Sequence, residues 1–259
     1  MIIFVSRVNI IVSCLIFTLN EAIRRRAPVK KTPLRVLDGR DVEPGEYPYA
    51  ITLLIFDDDP YRACSGSVIA EQWTLTAAHC VQNMETSRFY VWYDNFTVSP
   101  LVTKSYSKVL QIFNHPTYNP YFYFSTDNDI SLLYTEKVSV KRYGRLSAID
   151  HTTMIGLPVT YVGGGGTNKP GNDERRQLQV GEAAIIPCDK EFTQNVKFVI
   201  CITPKCSNRL HMGWYGDSGG PLIYNGYIVG VFALLSNTTK ITQMGYAPVN
   251  YNFIIMNEN

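Results

Sequence analysis

Little in this chain of 259 residues is strongly charged: 18% of it is Asp, Glu, Lys or Arg, and the formal net charge is +2. A balance so near neutral leaves no electrostatic footprint for a nucleic-acid partner. No solenoid-like repeat is visible, and no long segment has helical period apart from a weak one near the C-terminus. The apolar run Val8 to Leu19 falls short of the roughly 20 residues a bilayer span needs. No carboxylate-rich loop of calcium-binding type and no second paired Cys/His motif is present, so neither metal nor cofactor is expected. What is there is 46% hydrophobic and 12% aromatic, which excludes a disordered or collagen-like chain. The length allows one large or two small domains with a sizeable core.

The chain divides by composition. Arg7 followed by the short apolar run reads as a secretory signal over residues 1–22, cut near Asn20 to Ala22, with an uncut anchor as the alternative. Residues 23–35, IRRRAPVKKTPLR, are basic and lack periodicity, so they form an exposed leader that cannot build a core. Residues 1–35 hold seven basic and one acidic residue, while 36–259 hold 17 and 21. The positive charge therefore belongs to the leader, and the body is slightly acidic.

From Val36 onward, short runs rich in β-branched and aromatic residues are separated by Gly, Pro, Asn and Asp clusters. Strands are expected over 50–56, 88–98, 108–113, 130–134, 158–162, 177–185, 197–202 and 227–235. Strands at this spacing predict an all-β barrel or sandwich architecture. The tetraglycine Gly163 to Gly166 lacks the Lys-Ser/Thr helix start of a nucleotide loop and is expected to be a surface turn.

Three segments carry candidate chemistry. LTAAHC puts His79 at the end of an apolar strand, DNDISLL puts Asp129 just ahead of another, and GDSGGP puts Ser218 in a glycine-rich turn. A hydroxyl nucleophile, an imidazole to take its proton and a carboxylate to orient the imidazole are what acyl transfer requires. Gly216 leaves its backbone N–H unobstructed, so with the Ser218 N–H it can face a developing oxyanion. Each segment alone reads equally well as packing or turn; the three together, in a secreted β-rich chain, point to a site. Asn95-Phe96-Thr97 and Asn237-Thr238-Thr239 are N-glycosylation sequons.

On these motifs, residues 36–259 resemble the trypsin/chymotrypsin-like serine proteases. The resemblance implies two packed six-stranded antiparallel β-barrels, about 36–145 and 146–259, with a short C-terminal helix. It implies His79 as general base, Asp129 as its orienting carboxylate, Ser218 as nucleophile, and Gly216 with Ser218 as oxyanion donors. VLDGRDVEPGEYPYAITLL resembles the family's processed start, so cleavage after Arg35 would free the Val36 amino group to pair with Asp217. A buried Asp217 without a cation would be costly. Cys64 with Cys80, and Cys188 with Cys201, match family bridges. Cys206 is left over, as a free thiol, an intermolecular bridge or a competitor for Cys188, and Cys14 lies in the signal. The implied partners are a protein or peptide substrate, an activating protease and protein inhibitors of a secreted monomer, with no membrane.

The specificity elements depart from the family. Met212, followed by Gly213, falls at the pocket base where trypsins carry an aspartate, so a basic substrate side chain would lack a counter-charge. Ala233, Leu234 and Leu235 replace serine, tryptophan and glycine, with Leu235 narrowing the mouth; either Met244 or Gly245 lines the far wall. Ala233 removes a hydroxyl that in the family bonds the triad carboxylate, a loss of about 1–3 kcal/mol. The expectation is a peptidase for small or aliphatic residues; the alternative is a weakened homologue serving as a secreted binding or regulatory protein.

Overall fold

The computed structural model describes residues 39–56, 60–82, 84–119, 127–165, 175–190, 198–204, 213, 216–237, 242–249 and 253–254, with backbone only for 235–237 and 242. The first barrel is built from β2 (Ala50–Phe56), β3 (Pro60–Ala70), β4 (Trp73–Thr76), β5 (Phe89–Trp92), β6 (Tyr106–Asn114) and β7 (Ser131–Thr135). They pair in the order β2-β3-β4-β7-β6-β5, and β5 closes on β2 with Thr52 opposite Trp92. The second barrel uses β8 (Pro158–Gly163), β9 (Gln179–Ile186), β10 (Ile200–Pro204), β11 (Pro221–Tyr224), β12 (Tyr227–Asn237) and β13 (Thr242–Pro248). Its ring runs β9-β10-β13-β12-β11-β8 and closes through β8–β9; β1 (Arg40–Asp41) adds alongside β9. Closure of both sheets removes the unpaired edges that an open sheet would expose. This is the two-barrel, almost helix-free architecture expected from the resemblance. Of the expected C-terminal helix, Phe253 and Ile254 are helical and the rest lies outside the described residues.

Alternation fills both interiors. Ile51, Leu53, Leu75, Val91, Leu132 and Leu133 are buried in the first barrel, and Val159, Tyr161, Ile185, Ile202, Phe232, Met244 and Tyr246 in the second. The strand expected over 88–98 stops at Trp92. Asp94 adopts a positive φ of 71°, and the Asn95 side chain accepts from Thr97 N at 3.0 Å, so a turn wins over continued pairing. Strands β1, β3, β11 and β13 are not among those expected. Polar and small residues in PYRACSGSVIA and the glycine in TQMGYAP mask their alternation, and neighbouring strands supply the pairing.

The tetraglycine is not a surface turn. Gly163 ends β8, and Gly163, Gly164 and Gly165 are buried. A Cβ on Gly165 would lie 2.6 Å from Asp217 Cγ, and one on Gly163 would meet the same carboxylate. The run lacks side chains because a carboxylate occupies the space they would need. Gly166 lies outside the described residues.

Candidate active site

His79 and Asp129 emerge at the same end of one antiparallel ladder. Strand β4 pairs with β7, Thr76 opposite Ser131, so the residues just beyond β4 and just before β7 are neighbours. Ala77 and Ala78, both fully buried, let the chain turn tightly into a 3-10 turn over Ala78–Cys80. On the other side Asn128 takes a positive φ of 57° and turns Asp129 inward. Asp129 is 3% exposed and holds His79 twice. Its Oδ1 accepts the His79 backbone N–H at 2.9 Å, and its Oδ2 lies 2.6 Å from His79 Nδ1. Burial of the imidazole works to lower its pKa, but the hydrogen bond and charge of Asp129 outweigh this, and the net direction is upward. The disulfide Cys64–Cys80, with Cα atoms 6.2 Å apart, ties this turn to β3.

The Ser218 turn belongs to the second barrel but is held by the first. Ser65 of β3 donates its backbone N–H to Ser218 O at 2.7 Å and its hydroxyl to Gly216 O at 2.8 Å. The same hydroxyl accepts from Gly164 N at 2.9 Å. Thr76 Oγ1 donates to Ser65 O at 2.8 Å, which links this hub back to the His79 strand. Gly216 and Gly219 adopt φ of 92° and 82°, a region open to glycine at no steric cost. A Cβ on Gly219 would collide with Thr76 Oγ1 and Ser65 O and sit 3.1 Å from Ala77 N. The Ser218 turn therefore packs directly on the residues preceding His79. Among the described residues no hydrogen bond joins Ser218 to His79, whose Nε2 lies 3.7 Å from Cys80 Sγ. Catalytic hydrogen bonds of this kind are often long before substrate binds.

Asp217 is 4% exposed, and its Oδ1 accepts the Gly165 N–H at 2.7 Å. Arg176, buried as well, donates through Nη2 to Gly164 O at 3.0 Å and to Gly165 O. One peptide group, Gly164–Gly165, thus takes a guanidinium on its oxygen and gives its N–H to the carboxylate, an arrangement in which each bond polarises the other. Arg62 reinforces the same corner, donating to Arg176 O at 2.7 Å while its guanidinium lies 4.6 Å from the Trp92 ring centroid. Burial, with the charge of Asp217, pushes the Tyr161 hydroxyl far upward.

Ser65, Thr76, Arg62 and Arg176 carry no local signal in the sequence; only their distant partners give them meaning. Tyr118 is another such residue: burial and the charge of Asp129 push its hydroxyl up to about 12, and it donates to Gln82 Oε1 at 3.0 Å. Cys188 and Cys201 are bonded, with Cα atoms 5.2 Å apart. Cys64, His79 and Cys80 bring ligand-type atoms within 4.8 Å of one another, but both sulfurs are tied up in the disulfide and cannot serve as thiolates. Asn95 is exposed. Gly213 is buried and Ala233 and Leu234 are half-buried, whereas only the backbone of Leu235 and Asn237 is described. Arg35, Val36, Met212, Cys14 and Cys206 lie outside the described residues. A cavity of about 560 Å³ beside β1, lined by Val42, Tyr47, Asn95, Phe96 and Leu178 among others, contains none of the candidate catalytic residues.

Known proteins are similar to this chain in sequence and in fold. The profile of the trypsin family matches residues 36–255. Chymotrypsin-like elastase family member 1 of Rattus norvegicus is 26% identical over 224 residues, spanning 83% of this chain and 82% of that protein. Chymotrypsin-C of Rattus norvegicus is 31% identical over 204 residues, spanning 73% and 72%. Among solved structures, neuropsin, a serine protease expressed in the limbic system of mouse brain, superposes with a TM-score of 0.68 at 22% identity. That likeness covers 86% of this chain and 99% of the other and speaks to the fold.

Proposed function

The chain belongs to the trypsin family, and from that premise we propose that it is a secreted serine endopeptidase acting through His79, Asp129 and Ser218. In this reading Ser218 Oγ attacks the scissile carbonyl carbon while His79 Nε2 takes its proton. The oxyanion that forms is held by the N–H groups of Gly216 and Ser218. His79 then returns the proton to the leaving amine, and water hydrolyses the acyl-enzyme by the same steps in reverse. Asp129 keeps the proton of the neutral ring on Nδ1, which leaves Nε2 free to act as base, and it stabilises the imidazolium that forms next. The observation that carries the reading is the double hold of buried Asp129 on His79, 2.9 Å to the backbone and 2.6 Å to the ring, beside the turn that bears Ser218.

The precursor would be a zymogen. Residues 1–22 would act as the secretory signal and 23–35 as a pro-segment cut after Arg35 by another protease, and the new Val36 ammonium would reach Asp217. Secretion is supported by the two disulfides, and it would make Asn95 and Asn237 available as glycan acceptors. The pocket residues favour small or aliphatic side chains before the cut bond over basic ones. A peptide library incubated with the Arg35-cleaved protein tests this. Cleavage after small or aliphatic residues, absent in Ser218→Ala, is the expected result. A profile dominated by Lys or Arg would contradict the specificity, and no cleavage would favour a binding role.

A further inference from the structure

We propose that Phe232 and Met244 form an internal plug beside Gly213, filling the space in which the substrate side chain before the scissile bond would lodge. Only glycine or alanine is then accepted there. The inference rests on the endopeptidase reading and narrows its substrate class.

Gly213 lies in the segment that leads into Ser218. Its N–H points at Met244 Sδ, 3.0 Å away. A Cβ built on Gly213 would be 2.8 Å from Phe232 Cζ and 3.2 and 3.3 Å from the flanking ring carbons. There is no room for even one added methyl between Gly213 and the Phe232 ring. Phe232 is 4% exposed and Met244 is fully buried, so neither is a surface group that moves aside freely.

Phe232 is fixed from several sides. Its backbone N–H donates to Gly220 O at 2.9 Å, and its carbonyl accepts from Gly219 N at 2.8 Å, the two residues immediately after the nucleophile. Its ring packs on Tyr246 with centroids 5.1 Å apart. A bulge at Ala233, between the pairs Phe232–Tyr246 and Leu234–Gly245, re-aims the strand at this point. Met244 pairs with Leu235 on the next rung and supplies the other part of the plug, an unbranched thioether reaching across to Gly213. The space is therefore occupied by an arene and a thioether. A branched or aromatic substrate side chain would have to displace them, whereas glycine or alanine would not.

The test uses Arg35-cleaved wild-type protein, Met244→Ala, and the double variant Met244→Ala with Phe232→Val. Peptides differ only in Ala, Leu or Phe before the scissile bond. Fluorophosphonate titration counts competent sites, and indole, a probe shaped like an aromatic side chain, is titrated by NMR. Wild type is expected to favour Ala and bind no indole. Met244→Ala should raise the Leu-to-Ala ratio of kcat/KM by about 10-fold or more, the scale of a methylene or two in an apolar pocket. The double variant should bind indole and cleave after Phe. Wild type cutting after Leu or Phe as readily as after Ala would overturn the plug, as would a cooperatively melting double variant that binds no indole. Indole binding by the double variant, in a protein whose wild type takes no fluorophosphonate, would support the plug while refuting the peptidase reading.

Discussion

In the first barrel, His79 and Asp129 hold each other with two hydrogen bonds at the end of the β4–β7 ladder. In the second, the Ser218 turn relies on others: Ser65 anchors it from β3, and glycines close around Asp217 beside it. One half of the site is self-sufficient; the other is assembled across the barrels. The same division separates the part that keeps the trypsin pattern from the part that departs from it. The proposed acid–base pair follows the resemblance to the family, while ahead of the Ser218 turn Phe232 and Met244 close on Gly213. Such a division suits a fold in which chemistry stays fixed and specificity is varied at the pocket wall.

The two halves are separated most forcefully at the nucleophile itself. Ser218→Ala should lower kcat by about 10⁶-fold with the melting temperature retained, measured on peptide substrates. Asp129→Asn should cost about 10⁴-fold, because the imidazole loses the partner that fixes its tautomer. The pH dependence carries a sign. Asp129 holds the His79 pKa above its ordinary value of 6.5 against the opposing effect of burial. Wild-type kcat/KM should therefore fall as pH drops through a midpoint above 6.5 and the base becomes protonated, and Asp129→Asn should move that midpoint down. A midpoint unmoved by the substitution would count against the pairing.

How much of this is legible in the sequence differs between the halves in the same way. His79, Asp129 and Ser218 sit in short motifs whose residue types suit acyl transfer, so local reading singles them out as candidates. Ser65 lies 151 positions from Gly216, and nothing near it in the chain signals that its hydroxyl would bind that residue's carbonyl. The tetraglycine resembles a surface turn because its meaning is supplied by Asp217, distant in the chain but pressed against Gly163 and Gly165. Strands with strong alternation or β-branched content, such as β2 and β8, are expected with nearly their observed bounds. Those held mainly by neighbours, such as β11 with four residues, are not.

Smaller substitutions probe the same contrast. Gly165→Ala places a methyl 2.6 Å from Asp217 Cγ; it should cost about 1–3 kcal/mol by urea denaturation, as overpacking does, and lower kcat as well. Ser65→Ala strips two hydrogen bonds from the second barrel, at Gly216 O and Gly164 N. It should cost about 1–3 kcal/mol of stability and reduce kcat. Ser107→Ala, which removes a part-buried bond to Lys137 O in the first barrel, is the comparison case. It should cost only about 0.5–1.5 kcal/mol and leave kcat unchanged. Equal effects of Ser65→Ala and Ser107→Ala on kcat would mean that the nucleophile turn does not depend on the first barrel.

In the proposed site, two unequal halves together make Ser218 a nucleophile. Intact-mass spectrometry of the Arg35-cleaved protein after treatment with a fluorophosphonate measures this directly. One adduct per chain is expected, mapped to Ser218 and abolished in Ser218→Ala. A folded, cleaved protein that takes up no label, or takes it up at another residue, would contradict the account.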